Sequence, residues 1–209
     1  MFSSVCLAMA AVMALLNWVA VARDRAVLEY LSKPTATMAF LLTAATLDVA
    51  HDATWAWRMA ALAFCVLGDV FLMLPRDAFV PGLASFAVAQ VLFAVSFAAG
   101  ETSAARLVVG ILIVAPVALL LAKRFVGGIR RAGQAELVAP VVAYVIVISA
   151  MAVGAIAGGS VVAIAGAVVF MGSDSLIAES RFVRPRTWHP VGIMVSYHLA
   201  LLGLVLGLL

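Results

Sequence analysis

Two aspartates lie deep inside apolar segments of this chain, Asp69 within LGDVFLMLPR and Asp174 within GSDSLIAESR. An ionised carboxylate at bilayer depth costs about 3 kcal/mol or more, and acids in such places usually serve a function. Each aspartate is followed seven residues later by an arginine, Arg76 or Arg181. Seven residues of helix are about two turns, or roughly 10 Å, so each arginine lies on its aspartate's face and nearer the membrane surface.

A pair of buried carboxyl groups can divide acid and base work between them. Burial favours the neutral form, and two close carboxyls oppose each other's ionisation, so one holds a proton while the other is charged. One can then donate a proton while the other activates water or stabilises a cation. This division suits cleavage at an acetal-like or enol-ether carbon, where water captures an oxocarbenium ion. The two roles stay unassigned, because both aspartates have an arginine at the same offset.

No other catalytic pattern accompanies the aspartates. The sequence has no nucleophile elbow, no phosphate-binding glycine loop and no metal-ligand spacing, so we predict neither a metal nor a cofactor. Ser173 and Ser175 flank Asp174 without a GxSxG frame, which argues against a serine nucleophile. Cys6 and Cys65 lie in different apolar segments and are expected to be packing residues.

The elements that position the aspartates are predicted to be membrane helices. Only 11% of the 209 residues are charged and the mean hydropathy is +1.22, whereas about 25% charged residues is typical of soluble domains. A span takes about 20 residues, and polar breaks divide the chain into eight segments. These run approximately over 2–22, 34–48, 56–75, 79–100, 104–122, 137–157, 159–179 and 188–209. We therefore predict one all-α transmembrane domain over residues 1–209, a bundle of eight helices.

Basic residues are distributed unevenly among the predicted connections. Of the thirteen, only Arg58 and Arg106 fall in even-numbered connections, and the other eleven fall in odd-numbered ones. This is the positive-inside pattern, and it places both termini on the non-cytoplasmic side. It also accounts for the net charge of +3 without a nucleic-acid partner. The two aspartate frames recur 105 residues apart, a shift of four spans, which allows a parallel four-plus-four repeat.

Other polar residues fall at a similar depth in the cytoplasmic half of the membrane. Six spans contribute to this layer, whose further members are Asn17, Gln90, Tyr144 and His198. A single polar residue in a membrane helix commonly makes an interhelical hydrogen bond. Lys33, Arg76 and Arg181 are placed to meet a lipid phosphate, or they are ordinary positive-inside flanks. Gly68, Gly166 and Gly172 are expected to be close-packing positions.

Several motifs resemble those of the YhhN/TMEM86 family of integral membrane lysoplasmalogenases. They are GDVFLMLP, Lys33-Pro34, Pro140 with Tyr144 and Met151, and GAVVFMGSDSLIAESRF. The resemblance implies an eight-helix enzyme that hydrolyses the vinyl ether of a lysoplasmalogen, without a metal. The products would be a fatty aldehyde and glycerophosphoethanolamine or glycerophosphocholine. The motif positions carried over are Asp69, Asp174 and Ser173, with Lys33 and Tyr144.

Two positions depart from the family pattern. Members often have His followed three residues later by Tyr in the fourth span, where this chain has Gln90 and Phe93. In the last span Tyr197 is followed four residues later by Leu201 instead of Gln or His, while His198 lies on the next face. Lining residues set substrate preference. The catalytic pair is thus predicted as Asp69 and Asp174, and the substrate-contacting set as Lys33, Asn17, Gln90, Tyr144, Ser173, Tyr197, His198, Arg76 and Arg181.

The expected partners are a lysophospholipid substrate and membrane lipids, at the cytoplasmic leaflet of a bacterial plasma membrane. The sequence does not indicate an oligomeric state.

One alternative function is a proton-coupled transporter that uses the same aspartates as a relay, since intramembrane acids also build proton pathways. A transporter needs polar groups reachable from both sides, whereas this layer lies in the cytoplasmic half. The other alternative, a non-catalytic lipid-binding protein, has no need of two buried acids.

Overall fold

The protein, in a computed structural model, is described over residues 2–74 and 78–209, and this part contains eight α-helices. A 3-10 turn, Ala135–Leu137, precedes α6, and a π-helical segment, Glu179–Val183, follows α7. The α-helices are α1 Phe2–Ala22, α2 Ala26–Thr46, α3 Ala53–Met73, α4 Phe79–Ala99, α5 Ala104–Arg131, α6 Val138–Gly158, α7 Val161–Ala178 and α8 His189–Leu206. The all-α prediction is confirmed. Arg76 lies outside the described residues.

Seven of these helices are long and apolar enough to cross a membrane, and α2 is the exception in the described part of the chain. It begins at Ala26, eight residues before the predicted start at 34, so Pro34 lies inside it. Its polar residues Ser32 and Lys33 are buried against other helices. The helix can therefore start early because its polar face has protein partners. The count of eight spans and the sidedness of the termini remain predictions.

Helix α5 also extends beyond its predicted end at 122 and stops at Arg131. The added turns contain Lys123, Arg124, Arg130 and Arg131, which favour the carboxyl-terminal end of a helix through the helix dipole. Earlier in α5, Leu112, Leu119 and Leu120 are 62% exposed or more. Such a leucine-rich outer face is typical of a helix that contacts lipid. α5 thus lies on the outside of the bundle, and its carboxyl-terminal turns extend beyond the apolar part of the helix.

Consecutive helices pack as hairpins, α1 with α2, α3 with α4, α5 with α6 and α7 with α8. Across the hairpins, α4 packs on α6, α2 on α3, and α8 on both α1 and α2. The core contains aromatic contacts among Phe86, Phe170 and Tyr197, which join α4, α7 and α8. This arrangement surrounds the aspartate of α3 and that of α7 with polar residues from their neighbours. The parallel repeat remains a prediction.

Glycine allows a close approach of the backbones of α7 and α8. A Cβ on Gly166 would lie 2.7 Å from the backbone nitrogen of Leu204, and one on Gly203 would lie 2.7 Å from Gly166 Cα. Gly68 is also a close-packing position, because its Cβ would lie 2.5 Å from the Phe86 ring. The prediction for Gly172 is wrong: no described atom lies within 4 Å of its Cβ position, since this face of α7 turns outward.

Gly166→Ala should destabilise the bundle, because backbone on both sides of the contact cannot give way as a flexible side chain can. We expect a loss of about 1–3 kcal/mol, typical of overpacking, and a lower midpoint of thermal unfolding in detergent. Gly172→Ala on the same helix is the matched control and should be neutral or stabilising, because alanine is the better helix former. Equal midpoints for the two variants would contradict the close approach.

Candidate active site

Asp69 is held by residues from three helices. Its side chain on α3 is fully buried. The Thr37 hydroxyl on α2 donates to Asp69 Oδ2 at 2.5 Å, and the Tyr197 hydroxyl on α8 donates to the same oxygen at 2.9 Å. Lys33 Nζ lies 3.5 Å from Oδ1. A cation and two hydroxyl donors together stabilise the ionised carboxylate.

Lys33 and Thr37 reach Asp69 together because they lie four residues apart on one face of α2. Lys33 is only 5% exposed. Lys33 was predicted to lie at the start of the second span. This position is wrong, because Lys33 lies well inside α2. A buried lysine without a carboxylate would be strongly disfavoured. The pair with Asp69 therefore explains why α2 tolerates a charge at this depth.

Asp174 has a different environment on α7. The Tyr144 hydroxyl on α6 donates a short hydrogen bond to Asp174 Oδ2. Asp174 lines an apolar groove that is partly open to the surroundings. The groove walls include Phe79, Phe86, Leu121, Phe125, Ile148 and Phe182, and the polar residues in its lining are Tyr144, Asp174 and Ser175.

The two aspartates belong to one electrostatic neighbourhood, although Asp69 does not line the groove. The charge of Asp69 acts on the Asp174 carboxyl group, and the charges of both aspartates act on the buried thiol of Cys65. Cys65 is four residues before Asp69, one turn along α3. Sequence reasoning treated Cys65 as packing alone and did not select Thr37. The sequence did carry a signal for both residues. Cys65 is four residues before Asp69, and Thr37 is four residues after Lys33, so each shares a helix face with a predicted site residue.

Two further predicted residues connect α1 to its neighbours. Asn17 Nδ2 donates to Ser32 Oγ at 3.3 Å, and Trp18 Nε1 donates to His198 Nδ1 at 2.9 Å. Because Nδ1 accepts this bond, the neutral imidazole of His198 has its proton on Nε2. Asn17 Oδ1 and His198 Nε2 have no hydrogen-bond partner among the described residues. Both side chains therefore make interhelical contacts and still have one free polar atom.

The remaining predicted residues have other surroundings. Ser173 Oγ donates to the Ile193 carbonyl at 3.0 Å, which fastens α7 to α8. The Arg181 guanidinium lies 4.0 Å from the centre of the Phe79 ring, at one end of the groove. Gln90 is fully buried on α4. Ser173 and Arg181 are therefore not brought into the cluster around Asp69.

Arg58 is a polar residue whose surroundings were not predicted. It was assigned to a connection, but it lies inside α3 and is only 2% exposed. Its guanidinium donates to Ser96 Oγ at 3.2 Å and to the Leu204 carbonyl at 3.3 Å, and it lies over the Phe97 ring. Leu204 is in the last turn of α8, where a cation is favoured by the helix dipole. Arg58 thus stabilises the bundle at the end away from Asp69.

Comparison with known proteins identifies the chain's relatives. The model of the YhhN family matches residues 28–208. The chain belongs to the YhhN family. This YhhN protein is also 33% identical over 150 residues to human Lysoplasmalogenase TMEM86B. The match covers 71% of the chain and 62% of the length of the human protein. No solved structure matches the chain significantly.

Membership of the YhhN family confirms the resemblance stated from the motifs. The matched range contains Asp69 and Asp174 together with the helices that contact them. The apolar helices and the family identify the chain as an integral membrane protein. In the described parts of this YhhN protein no group of three or more His, Cys, Asp and Glu residues is arranged to hold a metal ion.

Proposed function

We propose that this protein hydrolyses the vinyl ether bond of lysoplasmalogens, releasing a fatty aldehyde and a glycerophospho-alcohol. The observation that carries the proposal is the Asp174 carboxyl group, which meets an apolar groove beside a second buried aspartate. An apolar groove suits an alkenyl chain, and a carboxyl group at its wall suits proton transfer to that chain. The named activity of the human relative supports this choice of substrate.

The contacts of the two aspartates support different roles for them. Asp174 is the proposed general acid, because it faces apolar groove walls and receives one hydroxyl hydrogen bond. Asp69 is the proposed base, because Lys33, Thr37 and Tyr197 stabilise its charged form. Its Oδ1 has no hydrogen-bond partner among the described residues and can accept one from water. Paired carboxyl groups in unlike environments are how enzymes separate acid from base.

The reaction then proceeds in balanced steps. Asp174 gives its proton to the second carbon of the vinyl ether, and an oxocarbenium ion forms at the first carbon. A water oxygen bonds to that carbon while a water proton passes to Asp69. As the bond from the hemiacetal carbon to the glycerol oxygen breaks, Asp69 returns its proton to that oxygen and the hemiacetal hydroxyl gives its proton to Asp174. This leaves an aldehyde and an alcohol and restores both aspartates. Each proton transfer by a positioned side chain contributes about 10²–10⁴-fold to the rate.

The direction in which a substrate lies follows from the charges around the groove. Phe125 and Phe182 of the groove wall are next to Arg124 and Arg181 in the chain, and Arg184 and Arg186 follow the π-helical segment. Arg124 is paired with Glu179 at 2.6 Å, so the excess positive charge here comes from the three other arginines. We place the phosphate of the head group at this cationic end and the alkenyl chain deeper, beside Ile148. The positive-inside pattern supports the cytoplasmic leaflet for that end.

An aldehyde assay on the purified protein tests the proposal. We expect aldehyde release from lysoplasmalogens with ethanolamine or choline head groups. The corresponding saturated alkyl-ether lysolipids should not be cleaved, because they have no vinyl carbon to protonate. Absence of turnover with every head group would overturn the proposal. Substrate-dependent proton flux in proteoliposomes without turnover would instead support the alternative, a proton-coupled transporter with the same aspartates as a relay.

A further inference from the structure

Gln90 is a polar side chain whose hydrogen bonds are unaccounted for. It is 0% exposed, and neither Oε1 nor Nε2 has a hydrogen-bond partner among the described residues. An unpaired buried donor or acceptor costs about 1–3 kcal/mol. Asn17 and Tyr144 make interhelical hydrogen bonds that explain their place in the membrane, whereas the Gln90 amide interacts with the Tyr144 hydroxyl without forming a hydrogen bond of good geometry among the described residues. Both of its polar atoms can therefore take a hydrogen-bond partner outside the protein chain.

The neighbours of Gln90 identify the chemistry of that partner. The amide lies beside the Tyr144 hydroxyl, which donates its single proton to Asp174. The Tyr144 oxygen can then only accept further hydrogen bonds. The charges of both aspartates act on Cys65, and Cys65 acts on Tyr144, so Tyr144 and Gln90 belong to the electrostatic neighbourhood that the two acids share. A small molecule that both donates and accepts fits such a place, and water is the usual one.

We propose that Gln90 holds one buried water molecule next to Tyr144, and that this water attacks the oxocarbenium carbon. The inference rests on the proposed vinyl-ether hydrolysis and turns Gln90 from a substrate contact into a positioning residue. Gln90 Oε1 accepts a hydrogen bond from one O–H of the water, and Asp69 Oδ1 takes the proton of the other O–H during attack. Gln90 Nε2 donates to one lone pair of the water oxygen. The second lone pair forms the bond to carbon.

A high-resolution structure of the wild-type protein tests the water site without relying on activity. We expect water density within hydrogen-bond distance of Gln90 Oε1 or Nε2. The same density should be missing in Gln90→Met, which keeps the side-chain volume but removes both polar atoms. Absence of water beside Gln90 in a wild-type map that resolves other internal waters would overturn the inference. Water at Gln90 in a protein that releases no aldehyde would overturn the catalytic role and the proposed function, leaving only the water site.

The fate of the oxocarbenium ion tests the role of that water. Methanol added to the assay competes with water and gives a methyl acetal instead of an aldehyde. In Gln90→Met we expect kcat to fall by about tenfold or more with KM nearly unchanged, as for an interaction made in the transition state. The ratio of acetal to aldehyde should rise several-fold. A wild-type kcat and product ratio in this variant would overturn the inference while leaving the proposed function intact.

Two further variants separate positioning of water from structural damage. Gln90→His keeps one donor and one acceptor, and we expect it to recover most of the turnover and the low acetal ratio. If Gln90→Met does not fold, the Gln90→His ratio and the wild-type water density still decide the outcome. Ser85→Ala on the same helix removes a buried hydrogen bond to the Phe64 carbonyl. It should leave the product ratio unchanged, and a raised ratio in this control would contradict the assignment to Gln90.

Discussion

Asp174→Asn should abolish aldehyde release while folded protein still accumulates in the membrane. Asparagine keeps the shape of the side chain and the contact with the Tyr144 hydroxyl, but it cannot donate a proton to carbon. Loss of a general acid costs about 10²–10⁴-fold. The measurement is aldehyde release by purified variant and wild type at equal amounts of folded protein, judged by size-exclusion elution and thermal unfolding.

Asp48→Asn is the matched control for this substitution. It makes the same chemical change at an exposed position between α2 and α3, so activity should remain at the wild-type level. Tyr144→Phe removes the hydroxyl that orients Asp174, and we expect an intermediate loss. An Asp174→Asn protein that retained more than about a tenth of wild-type turnover would exclude Asp174 as the acid, since general acids contribute more than that.

Asp69→Asn should remove both activity and stability. The substitution leaves the Lys33 cation buried at 5% exposure with no acid beside it. Removing one partner of a buried ion pair lowers the free energy of unfolding by about 3–5 kcal/mol. The variant should therefore unfold at a markedly lower temperature than Asp174→Asn and should release no aldehyde. Thermal unfolding in detergent and the aldehyde assay measure the two effects separately.

The double variant Lys33→Met with Asp69→Asn separates folding from catalysis. Replacing a buried ion pair with groups of similar size is often neutral for stability, so we expect unfolding close to that of the wild type. Turnover should stay absent, because no base remains for the attacking water. A stable and active double variant would show that the pair serves folding alone. A double variant no more stable than Asp69→Asn would contradict the ion pair as the source of the loss.

Much of the fold could be predicted from hydropathy because membrane spans must be long and apolar. The predicted segments for α1, α4 and α6 agree with the helices to within a few residues. The start of α2 was missed because Lys33 and Pro34 resemble the edge of a span. In the structure the charge of Lys33 is neutralised by Asp69 on another helix. Pairing of this kind depends on which helices are neighbours, which composition alone does not determine.

The site was predicted in part for the same reason. The cost of a buried charge in hydrocarbon singles out Asp69 and Asp174 from sequence alone. Sequence depth grouped Tyr144 with them, and the family resemblance added Lys33. In the structure these two residues and Tyr197 contact an aspartate. The sequence did not distinguish the two acids, because the difference arises from partners on other helices. It also placed Ser173 at the site on its motif, although its hydroxyl binds the backbone of α8.

Aldehyde release in D₂O tests vinyl-ether hydrolysis most directly. If Asp174 protonates the vinyl carbon, the aldehyde trapped at once by reduction has one deuterium at its second carbon. The glycerophospho-alcohol has no new carbon-bound deuterium, because its carbon atoms do not react. We expect this single label with the wild-type protein and no product with Asp174→Asn. An aldehyde without deuterium at the second carbon, or equal cleavage of the saturated alkyl ether, would contradict the proposed mechanism.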